Sequence, residues 1–233
     1  MTYCICLINA MSGRIRKFSI LFIILVLPPL TYVILSTGYH NFETLPYYGE
    51  KQISSKIIDG KETIDTIYHS IADFSFTNQY GEEVTQETFK DKIYVVDYFF
   101  TTCGSICPKM SGQLAIVQEK FRNNDKVMIL SHTVNPENDS VSVLNTYAKE
   151  QGAIKGKWHF VTGNKKELYE MALYSYLINA MEDVLAPEGF LHSEMFVLID
   201  KEKHIRGFYD GTDPLQVQDL IKAIQLLVSE EYI

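Results

Sequence analysis

From residue 93 to residue 100 the chain runs almost without interruption through apolar side chains, and two cysteines then follow four positions apart in Phe100-Thr101-Thr102-Cys103-Gly104-Ser105-Ile106-Cys107-Pro108-Lys109-Met110. An apolar run of this length is the pattern of a central strand covered on both faces. Past Pro108, the residues Met110, Leu114, Val117 and Phe121 recur at helical spacing. The chain must therefore accommodate a buried strand that turns through a thiol-bearing loop into a helix.

The same alternation continues downstream. Residues 126–134 are strand-like, 140–151 helical and 158–161 a short strand, and 165–178 form a helix capped by Thr162 or Asn164. Residues 194–199 form a strand that Asp200-Lys201-Glu202-Lys203 turns into another over 205–209, and an amphipathic helix with Pro214 at its start closes the chain over 214–228. Ahead of the central strand, 71–76 alternates weakly and Asn78-Gln79-Tyr80-Gly81 supplies a turn. Strands separated by helices predict one layered α/β domain over 71–233 with a central mixed sheet.

Residues 18–37 carry no charge. As a helix they would span roughly 30 Å, the hydrocarbon thickness of a bilayer, and they read as a transmembrane anchor. Arg14, Arg16 and Lys17 stand just before them, and the first acidic residue is Glu43. The positive-inside rule thus leaves residues 1–17 in the cytoplasm and sends the rest outward. Leu35-Ser36-Thr37-Gly38 offers no small-x-small cleavage site, and no cysteine closely follows the segment as a lipoprotein would require. Pro28 and Pro29 are tolerable in a membrane helix. Met11 begins a conventional leader, so Cys4 and Cys6 are expected to carry no function. Residues 38–70, without a sustained apolar period, read as a membrane-proximal spacer with at most one edge strand. Three of the 21 basic residues and none of the 29 acidic ones lie before Gly38, leaving 18 against 29, a net charge of −11. An exported part this acidic disfavours nucleic acid and anionic membrane surfaces as partners and suits a cation or a basic patch.

The thiols invite either redox or metal chemistry. A sulfur at a helix start lies near unsatisfied backbone N–H groups and the positive end of the dipole, which favour thiolate. In a regular helix, positions four apart hold their Cβ atoms about 5–6 Å apart, wider than the roughly 3.5–4.5 Å of a disulfide. A slightly open pair suits a metal at least as well, and soft thiolates select copper(I), with zinc as competitor. A third donor would be a histidine. Among His40, His69, His132, His159, His192 and His204, His192 stands out, because Phe190-Leu191-His192-Ser193 enters a strand after the Pro187-Glu188-Gly189 break. A solvated loop histidine fits the same spacing. Asp97, inside the apolar run, would have its pKa raised by desolvation and could take a proton from a thiol; an acid merely hydrogen-bonded within a strand is the alternative. Met110, Met171, Met181 and Met195 read as core filling rather than soft ligands.

Taken together, the chain resembles the SCO/SenC family, membrane-anchored thioredoxin-like domains that help deliver copper to the binuclear copper A centre of cytochrome c oxidase. The resemblance rests on residues 100–110, similar to a Cys-x-x-x-Cys-Pro motif. It rests also on Val134-Asn135-Pro136-Glu137-Asn138-Asp139-Ser140, similar to an Asp-Pro-Glu-x-Asp-Thr segment, and on His192 before the strand ending Leu198-Ile199-Asp200. Asn135 departs from the family, which has Asp there. The resemblance implies a thioredoxin-like fold and Cys103, Cys107 and His192 as ligands of Cu(I) or also Cu(II). It places Asp97 at the spacing of the buried acid of thioredoxins. It further implies a bacterial inner-membrane location with the domain on the periplasmic side, the oxidase copper A subunit as partner, and an upstream copper donor or thiol reductase. A metallochaperone is expected rather than a turnover enzyme. A thiol–disulfide oxidoreductase, with Cys103 attacking and Cys107 resolving, and a redox sensor remain open. A peroxidase using Cys103 lacks a Pro-x-x-x-Thr-x-x-Cys signature.

Overall fold

The structure, a computed structural model, describes the backbone of residues 13–37, 44–58, 61–182 and 190–232, with side chains at 17–18, 21–33, 44–55, 66–180, 193–230 and 232. The chain divides into two compact units, Met1–Glu43 and Thr44–Ile233. In the first, helix α1 (Gly13–Thr37) contains Pro28 and Pro29. Its described side chains form an unbroken stretch only over 21–33, about 20 Å of helix at 1.5 Å per residue. Among the described residues no helix is long and apolar enough to cross a membrane. The anchor expected over 18–37 is thus not shown.

The second unit opens with a hairpin of β1 (Lys51–Ile58) and β2 (Lys61–Tyr68), a two-stranded sheet of its own. The spacer reading of 38–70 needs correction here, because the compact unit starts at Thr44 rather than near Ile71. Long-range polar contacts hold this segment. Tyr48 N–H donates to the Ile205 carbonyl at 3.0 Å, and Arg206 donates to the carbonyls of Leu45 and Pro46. His69 Nε2–H donates to the Ser175 carbonyl at 2.7 Å. The hairpin gave no apolar period because described side chains such as Ile53 and Ile67 face solvent.

The main sheet has seven strands in the order β11-β10-β5-β6-β7-β3-β4. It contains β3 (Ser75–Asn78), β4 (Glu83–Thr85), β5 (Ile93–Phe99), β6 (Val127–Thr133), β7 (Trp158–Thr162), β10 (Met195–Ile199) and β11 (Ile205–Asp210). Strands β5, β6 and β7 run parallel, joined by crossover helices α2 (Cys107–Lys120) and α3 (Val141–Glu150). Strands β10 and β3 flank them antiparallel. Every residue of β5 and of β6 is buried, as the continuous apolar run requires. The main sheet's first strand in chain order, β3, falls at Ser75–Asn78 rather than 71–76, because Asn78 Oδ1 accepts from Tyr80 N and Glu82 N and so ends the strand in the turn. Asn164, not Thr162, caps helix α4 (Lys165–Glu170), accepting from Lys166 N and Glu167 N. The helix expected over 165–178 loosens into a π turn, Met171–Ser175, followed by Leu177 in the left-handed region at φ 58°. This departure buries Tyr176 and leads into β8 (Ala180–Glu182), which pairs with β9 (Phe190–His192) as a separate two-stranded sheet. Helix α5 (Pro214–Tyr232) closes the fold, its Val217, Leu220, Ile224 and Leu227 buried.

Candidate metal centre

Strand β5 ends at Phe99, and the chain turns through 100–106 before α2 begins at Cys107 with Pro108 behind it. The turn is tight. Cys103 N–H donates to the Phe100 carbonyl at 3.2 Å, and Cys107 N–H donates to Cys103 Sγ at 3.4 Å. Ser105 Oγ lies 3.6 Å from the same sulfur. Both thiols are free and buried, at 6% and 1% exposure. Cys103 is outside the helix, so the Cβ separation of two positions four apart in a regular helix does not apply. The spacing assigns the helix-start donors to the second cysteine, whereas the amide of Cys107 at the helix start serves Cys103 Sγ. Burial pushes the Cys107 thiol up, and the hydrogen bond with Cys103 and the charges of Cys103 and Asp97 push the same way against the Phe100 backbone.

Asp97 sits on β5 with 1% exposure and faces Ser131 of β6 in register. Its Oδ1 accepts from Ser131 Oγ, which in turn accepts from Trp158 Nε1–H of β7 at 2.8 Å. Burial raises the Asp97 pKa to about 7, with the serine bond opposing. Tyr147 of α3 stacks on Phe99 and bonds Ser111 Oγ of α2 at 3.0 Å; its phenol feels the charges of Cys107, Asp97 and Cys103. Asp97, Phe99, Ser131 and Phe160 thus share the sheet face that carries the thiols.

Asp139 braces the loop from the side. Fully buried, it accepts from Thr101 N–H at 3.2 Å, from the hydroxyls of Thr101 and Thr133 at 2.5 Å each, and from Asn138 Nδ2 at 2.9 Å. The loop after β5 is therefore tied to the loop after β6 two residues ahead of Cys103. The sequence reading singled out the segment 134–140 without assigning Asp139 a task. The departing residue, Asn135, contributes its backbone N–H to Thr133 Oγ1 at 2.9 Å, a bond that any residue but proline can make. Ser131 and Trp158 were missed as well. A hydroxyl and a lone indole inside strand patterns were the available signals.

The histidines separate. His132 is buried against Tyr98 at a ring distance of 4.9 Å, and burial lowers its pKa to about 3. Buried His159 lies by Asn78, half-buried His204 by Asp200, and His69 bonds the Ser175 carbonyl. Those four are not brought to the thiols by any contact. His40 lies outside the described residues. The backbone of His192 lies in β9, opposite Ala180 and three residues before β10; its side chain is outside the described ones. Among the described residues no three His, Cys, Asp or Glu gather as a metal site. The two thiols are the donors on view. Met110 and Met171 are buried core and Met195 packs against it, while the Met181 side chain and Cys4 and Cys6 lie outside the described residues.

Comparison with known proteins agrees with this geometry. The SCO1/SenC family model matches residues 64–229. The SCO1 protein homolog of Bacillus subtilis (strain 168) is 30% identical over 171 residues, covering 71% of this chain and 86% of that protein. A solved structure of BsSco, a member of the Sco family of cytochrome c oxidase assembly proteins with a disulfide switch, is similar at TM-score 0.60 and 29% identity, over 68% of this chain and 93% of that one. Arabidopsis thaliana ScoI with copper bound is similar at TM-score 0.56 and 25% identity, over 66% and 97%. A mixed sheet flanked by helices, of thioredoxin-like type, is common to them.

Proposed function

The chain belongs to the SCO1/SenC family, and from that premise we propose that it is a membrane-anchored copper carrier that passes the ion to the copper A subunit of cytochrome c oxidase. Cys103 and Cys107 as thiolates and His192 as neutral imidazole hold the cargo. The observation that carries this reading is the cysteine loop: two free, buried thiols on a turn so tight that the amide of one reaches the sulfur of the other at 3.4 Å. Soft thiolates in a desolvated place favour Cu(I). Binding must expel the thiol protons, so affinity rises with pH. The cargo and the oxidase are supported by the relatives, one with copper bound and one in a family of oxidase assembly proteins. The anchor is supported by the uncharged residues 18–37 and by the basic residues ahead of them. On this reading the protein sits in a bacterial inner membrane with the domain on the periplasmic side.

A second reading, a thiol–disulfide oxidoreductase that keeps the oxidase's copper-ligand cysteines reduced, is favoured by Asp97, a buried acid on the thiol face. The two readings part over His192, which copper needs and disulfide exchange does not. A Cu(I) competition titration on the reduced full chain in detergent tests them, set against His192→Ala and Cys103→Ser/Cys107→Ser. One-to-one binding that needs both thiols and weakens without His192 is the expected result. Weak binding indifferent to His192 refutes the carrier and leaves thiol exchange.

A further inference from the structure

Between residues 72–76, which lead into β3, and helix α4 with its π turn lies a groove of about 530 Å³, its second wall formed by Glu167, Glu170, Met171, Tyr174 and Ser175. Its apolar lining is built from the core edge: the rings of Phe74 and Phe76 stack at 5.6 Å, and both lie buried, as does Met171. The two walls are already tied together. Ala72 N–H donates to Ser175 Oγ at 3.3 Å and His69 donates to the Ser175 carbonyl, so a ligand meets a preformed groove and orders little. Tyr174 is 68% exposed there. The charged side chains of the lining, Asp73, Glu167 and Glu170, are all acidic. The lysines that meet two of them, Lys203 at Asp73 and Lys166 at Glu170, are solvent-accessible and stand outside the lining. Surface pairs of this kind are worth little and yield to a better-placed cation.

We propose that this groove docks a basic, apolar-anchored segment of a protein partner. A large apolar side chain of that segment seats against Phe74, Phe76 and Met171, and a flanking arginine or lysine pairs with Glu167 or Glu170 and stacks on Tyr174. Charge selects among the occupants. A second copy of this chain brings an acidic surface, 18 basic against 29 acidic residues from Gly38 onward, and an anionic lipid is repelled on the same ground. The groove also lies across the sheet from the helix of the thiols. Phe76 meets His132 of β6 at a ring distance of 5.3 Å, and His132 stacks on Tyr98 of β5. Helix α2 reaches the other side, where its Ser111 bonds Tyr147, the ring stacked on Phe99, and Tyr98 and Phe99 point to opposite faces as successive strand residues do. A docked segment therefore leaves the cysteine loop open, and its capture does not depend on copper.

The test selects short random peptides displayed on phage against the reduced full chain in detergent, and measures the selected peptides, synthesised with a fluorophore, by anisotropy. Peptides in which arginine or lysine flanks leucine or an aromatic residue are expected, with an affinity that falls as salt rises. Glu167→Lys/Glu170→Lys should weaken them by about tenfold or more, and Tyr174→Ser, at an exposed side chain, by about tenfold, with Cu(I) affinity unchanged in both. No selected peptide, peptides without basic residues, or peptides bound equally by the wild type and both variants overturn the inference. If Glu167→Lys/Glu170→Lys fails to fold, Tyr174→Ser decides by the same criterion. A chain that is dimeric by light scattering and becomes monomeric with Tyr174→Ser puts a second copy in the groove and overturns the inference too. The copper titration stands apart from all of these outcomes, because it reads the other face of the sheet.

Discussion

Replacing Asp139 by alanine should unfasten the cysteine loop. The carboxylate receives Thr101 N–H, the hydroxyls of Thr101 and Thr133, and Asn138 Nδ2, all at 2.5–3.2 Å. Thr133 is fully buried, so its hydroxyl has no water to turn to; Thr101 is part-exposed and can rehydrate in part. A buried donor left unmade costs about 1–3 kcal/mol. One such donor in full and the Thr101 pair in part give a loss of about 3 kcal/mol. For a folded unit of this size that is roughly 6–12 °C in melting temperature. The assay is thermal melting of the full chain followed by the emission of Trp158, the one tryptophan of the sequence, which sits fully buried in β7. Because Thr101 lies two residues before Cys103, Cu(I) affinity should fall in the same variant at temperatures where it remains folded. Asp139→Asn keeps one carbonyl acceptor and should lose less on both counts. A melting temperature lowered by less than about 2 °C refutes the ledger, and unchanged copper affinity in a destabilised variant refutes the claim that the brace shapes the thiol loop.

Asp97 keeps its proton in the folded state up to about pH 7 against a reference value of 3.8, so its contribution to stability is fully present below the reference value and is lost as pH rises through that window. Asp97→Asn should therefore melt increasingly above the wild type from pH 4 to pH 7, by about 1.4 kcal/mol per pH unit at most, with the gap level beyond; a gap independent of pH contradicts the assignment. Asn164→Ala removes the side-chain acceptor for Lys166 N and Glu167 N at the start of α4, and should cost about 1 kcal/mol, read as a melting temperature lower by roughly 2–4 °C with copper binding unchanged.

What the sequence displayed was what burial writes into it. The run 93–100 is legible as a central strand because both of its faces are covered, and β5 is buried at every position. The thiol pair is legible because it follows that strand and precedes a helical period. Residues 44–70 were not legible as part of the domain. Their attachments are polar and long-range, such as Arg206 to the carbonyls at 45 and 46, and the described apolar side chains of the intervening hairpin, Ile53 and Ile67, are exposed. The same holds for Ser131, Trp158 and Asp139. Each acts across neighbouring strands or loops, through partners 27 to 38 residues away, and no local period encodes such pairings.

The misassigned helix-start donor is different, because its correction was available from helix geometry. Amide N–H groups in the first turn point back along the axis, toward the chain that precedes the helix. The sulfur that receives the amide of Cys107 must therefore belong to an earlier residue, and Cys103 is the one within reach at 3.4 Å. The side chain of Cys107 itself, at the first helical position, packs inward to 1% exposure and is desolvated. Burial and the neighbouring Cys103 raise the Cys107 thiol against a backbone bond from Phe100, so Cys107 gives up its proton only when something better than water replaces it. A soft cation held by both sulfurs is such a replacement; so, in thiol exchange, is a bond to Cys103 once Cys103 has formed a mixed disulfide with a partner's disulfide, when the S–S bond to the partner breaks and the partner leaves as a thiolate. The same desolvated thiol beside Cys103 thus serves cargo binding and thiol exchange alike, which is why the discriminating residue has to be sought outside the loop, at His192.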